Sequence, residues 1–250
     1  MGSLTLTAIE GIPLIKAGDD LAELIFGAAS RQALRFEAGD IVAVCQKIVS
    51  KSEGRTRELE DVEPSALARN FAASFDKDAR AVELVLQESR RIIRMERGVL
   101  IVETGPGWVC ANAGMDESNS MADGRAILLP IDPDASAARI RAGLRKLAGV
   151  DVAVLITDTF GRPWREGQTE VCLGISGMNP ILDLRGSRDM GGRELHHTVL
   201  AIADELASAA GLLMRKDAGL PVIVVRGYRY EPCDGDARVL VRAPETDLFR

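Results

Sequence analysis

The sequence predicts an α/β fold, and three observations carry that reading. Segments rich in valine and isoleucine alternate with segments whose apolar residues recur at helical spacing. Residues 150–157, VDVAVLIT, have no polar side chain between Asp151 and Thr157, the mark of a strand buried on both faces. Comparable apolar runs return in VCLGIS and PVIVVRG.

In chain order, DDLAELIFGAAS opens with Asp19 and Asp20, which suit a helix N-cap, and places Leu21, Leu24 and Ile25 at helical spacing. DIVAVCQKIVS, residues 40–50, is rich in β-branched residues and reads as a strand entering the turn KSEGR. Residues 64–95 hold two helical patterns, the clearer being ARAVELVLQESRRII. GVLIVE and GWVCANAG read as strands joined by a tight turn at Gly105-Pro106-Gly107, and RAILLP follows. In DPDASAARIRAGLRKLAG, Pro133 fits a first helical turn and Gly149 an exit. GRELHHTVLAIADELASAAGLLM is the longest helix candidate, with Leu195, Val199, Ile202, Leu206 and Leu213 on one stripe. The segment after RYEPCDGD is polar and reads as a loosely attached tail. No repeat, low-complexity stretch or linker divides residues 1–250, so one domain is expected.

Composition excludes several functions. A formal net charge of −6, with 31 Lys and Arg spread along the chain and no basic tract, disfavours nucleic acid and anionic membranes as partners. No basic-then-apolar leader opens the chain, and no uncharged run approaches the roughly 20 residues that span a bilayer. A cytoplasmic location is the expectation. Of the four cysteines, Cys45, Cys110 and Cys172 sit in apolar runs and none forms a CxxC pair, so buried, inert thiols are expected.

The chemistry concentrates at two strand ends. Asp116 lies in GMDESN and Asp158 in VLITDTFGRPWREGQT. A carboxylate fixed at a strand end beside an open loop suits a hard divalent cation, which takes oxygen ligands and keeps water or phosphate in the rest of its shell. A helix cap or turn is the plainer role for either residue alone. Cys/His ligand clusters are absent, which excludes a structural zinc site. Neither GxxxxGK[ST] nor a strand-to-helix GxGxxG occurs; Lys47, Lys51, Arg162, Arg165 and Lys216 lie near glycines, and a solvated surface charge is the plainer role for each alone. Lys51, between an apolar run and a glycine turn, is the best placed of these to contact phosphate. Trp164, between two arginines, fits either packing or the wall of an aromatic ligand site. His196 and His197 read as surface or core-edge residues at the start of the long helix.

EGIPLIKAGDDLAELI, GDIVAVCQKIVSKSEGR, NAGMDESN, LLPIDPD, ITDTFGRPWREGQT, GISGMNPILDLRG, GRELHHTVLAIADELASAAGLLM and GLPVIVVRGY, in this order, resemble the coenzyme F420-0:L-glutamate ligase family. The resemblance implies an α/β fold of two intertwined parts with mixed sheets, a homodimer, and a single ligase domain without a C-terminal flavin-reductase-like domain. It implies GTP-dependent addition of L-glutamate, once or repeatedly, to the carboxylate of coenzyme F420-0 through an acyl phosphate. Mg²⁺ or Mn²⁺, two per site, would be the cofactors, with a K⁺ requirement left open. Carried over residue by residue, the metal positions fall on Asp116, Asp158 and Thr159. Asp116, Asp158 and Lys51 would serve catalysis. GTP contacts fall on Ile12, Pro13, Leu14 and Ile15, on Gln46, Lys47 and Lys51, and on Asn119. A last GTP-contacting loop runs through Met214, Arg215, Lys216, Asp217, Ala218, Gly219 and Leu220. Family members often carry Glu or Gln where this chain has Lys216, and a charged lysine has no lone pair for a metal. Asp217, or substrate and water, would then take that place. Two other readings stand beside this one. One is a ligase or kinase of the same fold acting on another small carboxylate. The other is a nucleotide- or deazaflavin-binding module without turnover.

Overall fold

Five strands share one mixed sheet, in the order Thr5–Ala8, Val222–Arg226, Ile41–Cys45, Ala153–Arg162 and Arg165–Ser176, flanked on both faces by helices. The structure is a computed structural model and describes residues 2–116, 124–215 and 217–248. The strands of the main sheet are β1 (Thr5–Ala8), β2 (Ile41–Cys45), β8 (Ala153–Arg162), β9 (Arg165–Ser176) and β12 (Val222–Arg226). Only β2 and β8 run parallel, pairing Ile41 with Ala153 through Cys45 with Thr157. Residues 153–157 of β8 are buried on both faces, as the unbroken apolar run requires.

One face of this sheet is covered by α1 (Leu21–Arg31), α2 (Gln46–Ser52) and α5 (Pro133–Ala148). Their apolar sides meet Val42, Val44, Val154 and Ile156 in one core. Asp20 caps α1 by accepting from the amides of Ala22 and Glu23. Pro133 opens α5, and Gly149 closes it in the left-handed conformation at φ 72°. The opposite face is covered by α6 (Ile202–Gly211), Trp108 and the C-terminal segment.

A second layered region surrounds α3 (Ala66–Phe75) and α4 (Ala79–Gln87). These pack on the antiparallel sheet of β4 (Ser89–Glu96), β5 (Val99–Thr104) and β6 (Val109–Ala111). Beside it, β3 (Thr56–Glu58) pairs with β7 (Arg125–Ile127), and β10 (Leu182–Asp183) pairs with β11 (Val199–Leu200) in a separate arm. The α/β class with mixed sheets is therefore borne out.

Four local expectations are corrected. The strand expected across 40–50 ends at Cys45, and residues 46–52 form α2 instead. Ile48 and Val49 bury against the core in that helix, and Ser50 donates to Gln46 one turn back, so packing overrides their β preference. The second helical pattern ends at Gln87, after which 89–96 pairs with β5. The long helix is real only over 202–211. Upstream of it the chain folds as a two-stranded arm, with Gly186 and Ser187 bonded through their backbones to Leu195. His196 and His197 lie on that exposed arm, off any helix. Finally, the tail is not loose. Ala237 is fully buried, its amide donates to Asp134, and Leu240 and Val241 pack on the α6 face.

Candidate active site

A cleft of about 1970 Å³ opens where the ends of β2 and β8 meet the β4-β5-β6 sheet. Four of the chain segments that build it lie far apart in sequence.

The first is the loop after β1, which contributes Ile12, Pro13, Leu14 and Ile15. Ile15 anchors the loop in the core while Leu14 is 88% exposed, an apolar side chain offered to the cleft. The second is α2. Gln46, Lys47 and Lys51 line the cleft, and the two lysines are one helical turn apart, so they share a face. The third is the stretch into Asp116. Its amide donates to the Ile127 carbonyl, which pins the residue to β7. Asn112, Ala113 and Gly114 all have positive φ and turn the chain sharply before it. Fourth is the β8–β9 hairpin, which brings Asp158, Thr159, Arg162 and Trp164 to the cleft.

Asp116 and Asp158, 42 residues apart in the sequence, thus line one cleft, but neither ends a strand as expected: Asp158 lies inside β8, paired with Val171, and Asp116 forms an isolated bridge with Ile127 beyond the end of β6. Asp116 forms an ion pair with Lys47. The field of Asp158 reaches two thiols. Burial, with Asp158 adding to it, pushes Cys110 up to about 12. Burial first, and then the Asp158 and Glu170 carboxylates, push Cys45 up to about 12, with the Lys47 amide and ammonium opposing. Burial also holds Cys172 well above the ordinary thiol range. All three are neutral thiols at physiological pH and none is poised as a nucleophile; Cys110 and Cys172 are buried as expected, whereas Cys45 is only half-buried at the cleft. Cys233 is exposed.

Of the sequence-predicted contacts, Met214, Arg215, Gly219 and Leu220 also reach the cleft, whereas Asp217 and Ala218 are not among its lining residues. Asp217 is instead gripped by Arg215, with Nη2 donating at 2.6 Å, and both side chains are exposed. Asn119 and Lys216 lie outside the described residues. Between the two hairpin arginines, Arg162 lines the cleft and Arg165 does not.

The structure adds residues that the sequence reading passed over. Glu170 faces Thr159 across the hairpin and accepts from its hydroxyl at 2.6 Å. Asp204 lies in the cleft wall at the start of α6, and its carboxylate accepts from the Cys172 amide. Burial raises its pKa, with that hydrogen bond opposing. Trp108 and Arg94 come from the small sheet, and Leu240 through Arg242 from the C-terminal segment.

Among the described residues, three buried side-chain polar atoms have no hydrogen-bond partner: Trp108 Nε1, Arg162 Nε and Glu170 Oε2. All three residues line this cleft. Buried polar atoms are ordinarily paired, so two orphaned donors and one orphaned acceptor mark a wall built for a polar ligand. No three His, Cys, Asp or Glu side chains among the described residues cluster into an ion cage by themselves. Asp116, Asp158, Thr159 and Glu170, which all line the cleft, offer oxygen atoms only, the donor type that a hard divalent ion takes. No helix among the described residues is long and apolar enough to cross a membrane.

Comparison with known proteins agrees in extent as well as kind. Residues 11–227 match the family model described as F420-0:Gamma-glutamyl ligase. The chain is 45% identical over 250 residues to the coenzyme F420:L-glutamate ligase of Methanothermobacter thermautotrophicus, covering 99% of both chains. It is 46% identical over 258 residues to that of Methanopyrus kandleri, covering 100% of both. It is 44% identical to that of Archaeoglobus fulgidus over 97% of this chain and 94% of that one. With the matched span carrying those four cleft-forming segments, the chain belongs to the F420-0:gamma-glutamyl ligase family.

Proposed function

We propose that this protein joins L-glutamate to the carboxylate of coenzyme F420-0, using GTP and divalent cations, by way of an acyl phosphate. The single observation that carries the reading is the meeting of Asp116 and Asp158 in one cleft that also holds Lys47, Lys51 and Arg162. Family membership and the printed names of the relatives support the choice of substrates.

A carboxylate is a poor acyl donor because its leaving group would be an oxide. In the first step its oxygen attacks the γ-phosphorus of GTP and GDP departs, leaving a mixed anhydride. In the second, the amine of glutamate attacks the carbonyl carbon, loses a proton, and phosphate leaves. The first step brings two anions together, so positioning and charge neutralisation govern its rate. Asp116 and Asp158, with Thr159, would hold the cations, and those ions would supply neutralising charge beside the phosphates.

The remaining work falls to the chain itself. Lys47 and Lys51, on one face of α2, meet the phosphates as point charges. Ile12 through Ile15 and Leu220 form an apolar border for the nucleotide. Arg162, with a buried donor unspent, holds a substrate carboxylate. Trp164, 80% exposed and in the left-handed region at φ 56°, offers its ring to the deazaflavin. A homodimer follows from the family resemblance.

The test is direct. Incubation with GTP, Mg²⁺, L-glutamate and F420-0 should yield a product heavier by one or more glutamyl residues, with one phosphate and one GDP released for each. Phosphate release without glutamylation would favour another acceptor carboxylate, and nucleotide binding without phosphate release would favour a non-catalytic module.

A further inference from the structure

The residue at 216 is a lysine, and Asp217 is spoken for by Arg215, so the loop 214–220 has no evident acidic donor for an ion beside Thr159. An acidic oxygen is nevertheless present from the other direction. Glu170 stands directly across from Thr159 in the β8–β9 register, one position from the pair formed by Asp158 and Val171.

Three features define its state. Glu170 Oε1 accepts the Thr159 hydroxyl proton at 2.6 Å. A hydroxyl has one proton, so spending it on Glu170 leaves the Thr159 oxygen with only lone pairs to offer, the state a cation prefers. Glu170 Oε2 is buried and has no hydrogen-bond partner among the described residues. Its stem is held in place by α6. A Cβ on Gly211 would come within 2.6 Å of Glu170 Cγ, and the Glu170 carbonyl accepts from Ser208 Oγ at 2.8 Å. A carboxylate oxygen held buried and unspent in a cleft wall is costly to keep unless something positive meets it.

We propose that Glu170 is a metal ligand, donating Oε2 to the divalent ion that Thr159 faces and taking the place that the 214–217 segment leaves unfilled. The inference rests on the metal-dependent reading of the cleft and deepens it. It assigns the second ion to the β8–β9 hairpin, with Glu170 both orienting the Thr159 hydroxyl and supplying charge.

The test is a Mn²⁺ titration of the full chain in the presence of GDP, with free Mn²⁺ followed by electron paramagnetic resonance. Wild type should bind two ions per chain. Glu170→Gln keeps an acceptor for Thr159 but loses the charge, and one of the two ions should weaken by about 10-fold or more. If Glu170→Gln fails to fold, Glu170→Asp, which shortens the donor and keeps the charge, should show the same selective weakening. Two ions of unchanged affinity in either folded variant would overturn the proposal, as would a single wild-type ion that both variants retain. A wild type that binds no Mn²⁺ would overturn this proposal and the metal-dependent reading together. A wild type that binds two ions and loses one in Glu170→Gln, yet adds no glutamate, would uphold the ligand and sink the proposed reaction.

Discussion

Lys47 and Asp116 form an ion pair at the floor of the cleft, one from a helix behind the main sheet and the other from a segment bonded to β7. The pair neutralises a carboxylate that lines the same cleft as Asp158. Under the proposed function Asp116 would hold a cation and Lys47 would meet phosphate. Asp116→Asn should therefore lower glutamylation by at least about 100-fold, while unfolding free energy falls by only about 1 kcal/mol for a partly exposed pair. Steady-state turnover at saturating Mg²⁺ together with urea unfolding checks both halves.

Lys51 is separated from Lys47 by one turn of α2 and forms no ion pair among the described residues. Under the proposed function its charge acts on the nucleotide. Lys51→Ala should raise the KM for GTP about 10-fold or more with a smaller change in the KM for glutamate, and the loss should shrink at high ionic strength. Equal changes in both constants would remove Lys51 from phosphate binding.

Gly114 precedes Met115 and Asp116 at φ 66°, and a Cβ there would lie 2.7 Å from Leu129 Cδ1. Gly114→Ala meets a backbone penalty and a clash at once. It should destabilise the fold by about 2 kcal/mol and weaken Mn²⁺ binding through displacement of Asp116. Thermal unfolding and Mn²⁺ titration on the same preparation test the two effects.

The thiols give a pH prediction. Burial pushes Cys45 and Cys110 up to about 12, above the value of an unfolded cysteine near 9. A pKa raised in the folded state contributes stability that is complete below the unfolded value and is lost as pH climbs from about 9 toward 12. Unfolding free energy should fall across that window, and Cys45→Ser with Cys110→Ser should flatten the fall. In the native state near pH 8, a thiol reagent should modify the exposed Cys233 rapidly, the half-buried Cys45 slowly, and Cys110 and Cys172 only after denaturant is added.

How much of this was legible in the sequence depended on whether local pattern and tertiary packing agreed. They agree in α5, where Pro133 and Gly149 bracket a helix that the structure keeps intact. They agree in β8, whose apolar run is buried on both sides. They part company at 46–52, where β-branched residues are drawn into a helix because Ile48 and Val49 must reach the core below α2. The LHHTVL stretch fits a helical stripe on paper, yet Val199 and Leu200 pair with β10 and leave the stripe to α6.

For the cleft, Asp116 and Asp158 stood out because each follows an apolar run. Glu170 did not, since a lone glutamate in GQTEVCLG looks like the solvent side of a strand. Its pairing with Thr159 follows from hairpin register, and the turn sequence GRPWREG was the only hint of that register. The contribution of Leu240 through Arg242 had no signal beyond the few apolar residues in a polar tail.

The central claim is that two carboxylates from separate parts of the chain serve one bound metal–nucleotide. A double-mutant cycle on the affinity for GDP in the presence of Mn²⁺, using Asp116→Asn, Asp158→Asn and the pair, tests it most directly. Each single change should cost about 30-fold or more, and the double variant little beyond the worse single, because one shared site can be lost only once. Losses that simply multiply, or a single variant that binds Mn²⁺ and GDP like wild type, would contradict it.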